Sequence, residues 1–327
     1  MQGRLTDADG QSVDATLDAV RERLGGDAFF WLDLEGLDAG SSELLLGGFG
    51  FHPLAVEDAE HFGQRPKVDD FDGFTYLVVH GARASSSAVT CEVHIFFAAR
   101  HVVTVHRGDR DLLDGVRQRA ARHRAAAGSS PAVSLLYLIV DELVDTYFPV
   151  LAQLDDRIDA LEDGILKQPT EAQLGELFDM KRTLVALRKV VTPERDMFAR
   201  LLSGLDLLEG MTPDDERYFR DLYDHLIRIS DLVDSYRDLL TGAMDTHLST
   251  VSNRLNVVMK QLTIIATVFL PLSFLTGFFG QNFALLTGHV LTQTWSFWVF
   301  GIGLELAAAV GLIYLFRRRG WLGGPTE

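Results

Sequence analysis

Asp245, Ser249, Ser252, Asn256, Met259, Thr263, Ala266, Leu270, Ser273, Gly277 and Gly280 recur at steps of three and four residues, the spacing that puts side chains on one face of a helix. The stripe starts among charged residues and runs, without changing phase, into a stretch with no Asp, Glu, Lys or Arg between Gln261 and Leu304. Leu262 to Phe279 alone is about as long as a helix must be to cross a bilayer. Amide and hydroxyl groups, small residues and unbranched apolar ones, with no fixed charge at membrane depth, hold nothing tightly. They suit a hydrated ion in transit rather than a reacting substrate. If several copies of the helix surround an axis, this face lines a hole. Hydroxyls bonded back to their own helix and small residues at helix contacts account equally for Thr263, Ala266, Gly277 and Gly280, but not for Asp245 or Asn256.

The rest of the chain offers little other chemistry. There is no nucleophile-base set, His-Glu zinc motif or cysteine cluster, so no enzyme and no organic cofactor are expected. Gly47-Gly48-Phe49-Gly50-Phe51 lacks a following Lys-Ser/Thr and reads as a turn rather than a phosphate cradle. Glu57 and His61 share a helix face at the spacing of a metal pair, yet an acidic first turn and a solvated histidine explain the same residues. The net charge of −16 argues against nucleic acid and suits a protein that gathers cations. A lone Cys91 excludes an internal disulfide framework. The start, MQGRLTDADG, has no signal-peptide character, so the bulk of the chain is expected to stay where it was made.

The elements that position the stripe follow from periodicity. Residues 1–128 mix an amphipathic helix over Val13 to Leu24 with strand-like runs at Ala28 to Leu34, Phe74 to His80, Thr90 to Ala98 and His101 to His106. His52-Pro53 opens a short helix, Leu54 to His61. Over 129–211 the pattern turns helical, with long helices from Ala132 to Leu166 and from Glu171 to Leu202. Thr212-Pro213-Asp214-Asp215 then supplies a cap, a first-turn proline and acids for a third helix. That helix has an apolar stripe of coiled-coil type, from Phe219 through Leu222, Leu226, Ile229, Val233, Leu240, Leu248 and Leu255 to Leu262. It reads as a stalk over 212–261 that continues as a first membrane helix over 262–282. A loop, 283–294, leads to a second membrane helix over 295–316, with aromatic residues at its start. The tail 317–327 opens with Arg317-Arg318-Arg319. These basic residues, with Arg254 and Lys260, place both termini in the cytoplasm by the positive-inside rule and leave the loop outside. Glu305 is the sole formal charge within the spans, and its role stays open.

Two C-terminal membrane helices, a stalk entering the first and a Gly-x-Asn turn at its outer end resemble the CorA-type divalent metal ion transporters. The resemblance covers nearly the whole chain and includes His52-Pro53-Leu54-Ala55-Val56-Glu57-Asp58, Gln64-Arg65-Pro66-Lys67-Val68, Phe219-Arg220-Asp221-Leu222-Tyr223-Asp224-His225 and Val258-Met259-Lys260-Gln261-Leu262-Thr263. It implies an α+β chain: an N-terminal cytoplasmic α/β funnel domain, a helical stalk and a two-helix hairpin in the inner cell membrane, assembled as a homopentamer around a central pore. By the same resemblance, Gly280, Gln281 and Asn282 form the selectivity turn. Ser273, Leu270, Leu262 and Met259 line the pore with Ala266 and Gly277, Asn256 lies near its cytoplasmic exit, and Asp245 forms an acidic ring below. Asp221 matches a position that helps to bind a regulatory metal between subunits.

Three features depart from the family pattern. Gln281 replaces the usual Met of the Gly-x-Asn turn, Phe283 to Gln293 carries no acid, and Gly81 to Thr90 offers no acid facing Asp221 across a subunit boundary. Zinc-transporting relatives of the ZntB type also vary at the middle position of the turn. The expected cargo is therefore magnesium, with cobalt or nickel admitted. A zinc transporter under proton influence is the alternative, and a membrane-anchored sensor or scaffold is a third possibility from another class.

Overall fold

The computed structural model describes residues 1–83, 90–108, 111–120, 130–204, 208–281, 288–289 and 293–321. It divides into two units, Met1–Met244 and Asp245–Glu327.

The first unit is built on a seven-stranded mixed sheet of order β2-β1-β3-β7-β6-β5-β4. The strands are β1 Gly3–Asp7, β2 Ser12–Asp14, β3 Phe30–Glu35, β4 Lys67–Phe71, β5 Phe74–Ala82, β6 Thr90–Phe97 and β7 His101–His106. Only β3 and β7 pair in parallel, with Leu32 opposite Val103; the other neighbours are antiparallel. Both faces are covered, which is why β5 is buried along its whole length. Trp31, Leu77, Val79, Val93, Ile95 and Phe97 face one core. Phe30, Leu32, Tyr76, Val78, Phe96 and Val103 face the other, as the two-residue period of a strand requires.

The second of these cores is closed by α1 Leu17–Leu24, α2 Ala39–Glu43, the π-helical turn Leu44–Gly48 and α3 Pro53–Glu60. The first is closed by α4 Asp114–Ala120, α5 Pro131–Asp145, α6 Tyr147–Lys167, α7 Glu171–Leu202 and the start of α8, Pro213–Phe279. Caps set the boundaries. Ser130 accepts from the Ala132 amide ahead of Pro131, and Thr170 and Gln173 form a reciprocal box. Thr212 donates to the Asp215 carboxylate from both amide (2.9 Å) and hydroxyl (2.6 Å).

Two expectations fail locally, and three strands lie outside the strand-like runs of the sequence. The stretch Val13 to Leu24 is not one helix: the β2 edge strand ends at Asp14, and Thr16 caps α1. Ala132 to Leu166 is two helices, because Pro149 lies in the first turn of α6 and has no N–H for the Asp145 carbonyl. Strands β1, β2 and β4 lack a run of apolar residues; β2 and β4 are sheet edges, and KVDDF keeps β4 polar.

The α5–α6 break has a purpose in the sheet. β4 begins at Lys67, opposite Val78, so the β5 amides beyond Val78 have no strand partner on that side. Glu194 of α7 accepts from the His80 amide at 2.9 Å, and Thr146, at the break, accepts from the Ala82 amide at 2.7 Å. A Cβ on Gly81 would stand 2.8 Å from the Thr146 hydroxyl, so glycine lets the junction approach. Two side chains thus finish a buried sheet edge.

Glu194 is fully buried, and desolvation pushes its carboxyl up to about 8 from an ordinary 4.5, opposed by the bonds from His80 and Tyr147. The folded protein therefore keeps a proton that the unfolded chain releases between about 4.5 and 8, and stability falls as pH rises through that window. Glu194→Gln keeps an acceptor for His80 without that liability. It is expected to raise the melting temperature at pH 8 by about 2–4 °C for each kcal/mol recovered, with little gain near pH 4.5. Calorimetry at the two pH values checks this.

Candidate functional site

α8 changes its surroundings at the boundary between the two units. In the first unit its apolar stripe is consumed internally: Phe219, Leu222, Leu226 and Ile229 are each 0% exposed, in one cluster with Leu154, Ile158 and Leu161 of α6 and Leu184, Leu187 and Val191 of α7. The coiled-coil stripe is thus satisfied by the chain's own helices up to Ala243. Beyond that point Leu248, Leu255 and Leu262 are open, at 58%, 61% and 59% exposure.

The weakly polar stripe is open along its whole length. Asp245, Asn256, Met259, Ala266, Leu270, Ser273, Gly277 and Gly280 are all exposed, as are the neighbouring Leu262 and Gln281, with Leu270 at 71%. The stripe belongs to one unbroken helix up to Phe279. Its average step of about 3.5 residues falls short of 3.6, so on a straight helix it winds slowly around the axis. Thr263 bonds back to the Met259 carbonyl at 2.7 Å, which satisfies its hydroxyl within the helix; the Thr276 hydroxyl lies 2.9 Å from the Leu272 carbonyl. The helix ends where the Gly280 amide donates to the Thr276 carbonyl at 2.9 Å. A Cβ at 280 would stand 3.0 Å from that oxygen, so the glycine has a steric reason. Asn282 lies outside the described residues, as do 283–287 of the loop and 322–327 of the tail.

The second span begins as α9 Thr294–Ser296, continues as a π-helical segment Phe297–Gly303 and ends as α10 Leu304–Arg318. By length and composition, α8 and the helix Trp298–Arg318 can each cross a membrane, and their apolar windows are 0% and 6% buried. Near the basic end of the second span, Lys260 donates to the Gly320 carbonyl at 3.4 Å.

In the first unit, Asp141 and Asp145 of α5 and His225 of α8 bring one ligand atom each to within 4.8 Å of one another, a mixed oxygen and nitrogen set able to hold a divalent cation. Asp221, one turn before His225, is 3.9 Å from its ring and is exposed. Asp221 is reached from the sequence as a metal ligand only through the family resemblance, and Asp141, Asp145 and His225 are not, although the i, i+4 spacing of the two acids on a helix is visible. What could not be seen was that α5 and α8 meet. Asp141 also pairs with Arg119 at 2.6 Å, and Glu142 does so at 2.8 Å. Burial raises the Asp145 carboxyl above its ordinary value, and the Asp141 charge adds to the shift. Phe148 meets the His225 ring edge-on at 5.8 Å. At the other acid–histidine pair, the His61 ring nitrogen bonds the Glu57 backbone carbonyl at 2.9 Å, and His52 serves as the cap of α3. Cys91 is buried.

The family model for the CorA-like Mg2+ transporter protein matches residues 26–318. The chain belongs to this family. It is 35% identical to YfjQ of Bacillus subtilis over 90% of each chain. It is also 35% identical to the cobalt/magnesium transport protein CorA of Thermotoga maritima, over 89% of this chain and 83% of that one. The zinc transport protein ZntB of Yersinia enterocolitica is 26% identical over 79% of this chain and 77% of its own. In fold, the complete CorA magnesium transporter structure from Methanocaldococcus jannaschii superposes with a TM-score of 0.83 over 98% of this chain and 99% of that one, at 22% identity. The chain is a metal-ion transporter of the membrane.

An acid held above its ordinary value destabilises the fold once it ionises, so removing its charge helps at neutral pH. Asp145→Asn is expected to raise the melting temperature slightly in chelator at pH 7; millimolar magnesium is expected to stabilise the natural protein, and the variant to lose that rise. A thermal melt with and without the cation reads both effects.

Proposed function

We propose that this chain carries divalent cations, magnesium foremost, into the cell down the membrane potential, through a pore that five copies line with α8. The observation that carries the proposal is the stripe from Asp245 to Gly280, which crosses the membrane segment with no formal charge and stays exposed along its length. In this reading 262–282 and 295–316 span the inner membrane, 283–294 lies outside, and both termini lie in the cytoplasm.

Magnesium releases its water shell reluctantly, so a ring of Asn282 amides selects the ion by hydrogen bonding to that shell. Gly280 and Gln281 present the ring. Below it, Ser273, Gly277 and Ala266 leave room for a hydrated ion, and Leu270, Leu262 and Met259 form an apolar constriction that closes by excluding water. Asn256 and the Asp245 ring receive the ion at the inner end. The field supplies about 2.3 kcal/mol per unit charge per 100 mV, roughly twice that for a divalent ion, so flow needs no nucleotide.

The resident cation belongs to the first unit. Asp221, with Asp141, Asp145 and His225, would hold a regulatory ion; cobalt, nickel and zinc share the preference for mixed oxygen and nitrogen ligands. A second reading, zinc transport under proton influence, is favoured by Gln281 in place of Met and by the likeness to ZntB.

In proteoliposomes with an inside-negative potential, Asn282→Ala is expected to lower magnesium uptake at least tenfold while the protein still assembles. Zinc uptake that exceeds magnesium uptake and follows a proton gradient would transfer the assignment to the second reading. Uptake of neither ion by the natural protein would defeat both.

A further inference from the structure

Glu305 is the only Asp, Glu, Lys or Arg between Gln261 and Arg317, and an ionisable group at that depth is retained only with a partner. Its partner is on the pore helix: the Glu305 carboxyl and the Thr276 hydroxyl are 2.7 Å apart. Thr276 is also the residue whose carbonyl accepts the Gly280 amide at 2.9 Å, which ends α8 one residue before the Gly280-Gln281 turn begins. The same hydroxyl lies 2.9 Å from the Leu272 carbonyl. It has one proton and two oxygens within reach, so a group at 305 that can both donate and accept completes its bonding.

The backbone places Glu305 there by a local irregularity. The π-helical segment Phe297–Gly303 ends with the Leu304 amide bonded to the Val299 carbonyl, a five-residue step that shifts the following residues around the helix relative to an α-helical course. A Cβ at Gly303 would stand 3.1 Å from the Trp298 carbonyl, so the glycine eases this turn. Glu305 is the second residue of α10 and follows the shift directly.

We propose that Glu305 is a positioning residue for ion selection. Through Thr276 it fixes the last turn of α8, and with it the direction in which Gly280 and Gln281 present the filter. It acts as a hydrogen-bonding group and not as an ion ligand. This rests on α8 being the pore helix, and the experiment separates the two claims.

Magnesium uptake against concentration is measured for the full-length protein in proteoliposomes. Glu305→Leu and Thr276→Val are each expected to raise the half-saturating concentration about fivefold, with maximal uptake changed less than twofold. The double variant is expected to match either single one, because both remove the same bond. Glu305→Gln and Thr276→Ser, which keep donors and acceptors in place, are expected to stay within twofold of the natural protein. Glu305→Gln as damaging as Glu305→Leu would overturn the proposal, since the charge itself would then be needed. Thr276→Val without effect on the half-saturating concentration, or a double variant losing the product of the two single losses, would also overturn it. Asn282→Ala is the control: if it abolishes uptake while Glu305→Leu is silent, only the role of Glu305 falls. If Asn282→Ala leaves uptake intact, the pore helix assignment falls with it.

Discussion

A helix that passes from protein into lipid must satisfy two different solvents with a single repeat, and α8 is arranged around that constraint. Up to Ala243 its apolar positions have somewhere to go, because α6 and α7 supply Leu154, Ile158, Leu184 and Leu187 to meet them. From Asp245 onward the chain offers no such cover, and Leu248, Leu255 and Leu262 stay open. Leu248 and Leu255 lie before the membrane segment; from Leu262 onward, in the lipid interior, apolar exposure costs nothing, whereas an unpaired polar group is costly. The sequence respects this asymmetry. Apolar residues there are left unpartnered, while Thr263 is tied to its own helix and Thr276 to its helix and to Glu305.

The first unit faces the opposite problem, a buried sheet with an unfinished edge. Covering both faces of the sheet leaves the His80 and Ala82 amides away from water and beyond the first residue of β4. The chain closes this edge with side chains instead of another strand, at the cost of burying a carboxyl at Glu194. Tyr147 donates to it at 3.3 Å. A glycine at 81 and a helix break at Thr146 are needed for the same closure, so three features scattered in sequence answer one hydrogen-bonding requirement.

This explains which parts of the structure could be read from the sequence. Strands β3, β5, β6 and β7 lie inside the sheet, and burial on both faces forced apolar runs upon them. The edge strands β2 and β4 carry no such mark, since an edge is better kept polar and short. The limits of α7 and α8 were legible because their caps are local, written within four residues at Thr170 and Thr212. The break at Thr146 was local too, but its proline sat within a strongly apolar run that masked it. The phase of the open stripe needed only periodicity. The Asp141, Asp145 and His225 cluster needed knowledge that α5 and α8 meet, and the Glu305–Thr276 bond depends on a π-helical shift that composition does not announce.

The two groups of polar residues also differ in what they can do to a cation. Charged oxygens and an imidazole nitrogen, crowded within 4.8 Å, can replace water around a divalent ion and so keep it. Arg119 beside Asp141 offsets part of that charge, so the cluster holds less negative charge than its acids alone imply. The stripe on α8 has the reverse character. An amide, hydroxyls, a thioether and methyl groups cannot compete with a magnesium hydration shell, and in the proposed pore that weakness would let an ion leave as readily as it enters. Asp245 lies before the membrane segment, where water still reaches it; at membrane depth a carboxylate turned into such a path would trap the ion it meets. Glu305, bonded to Thr276 instead, can lie at membrane depth and serve the shape of the path without adding a charge to its lining.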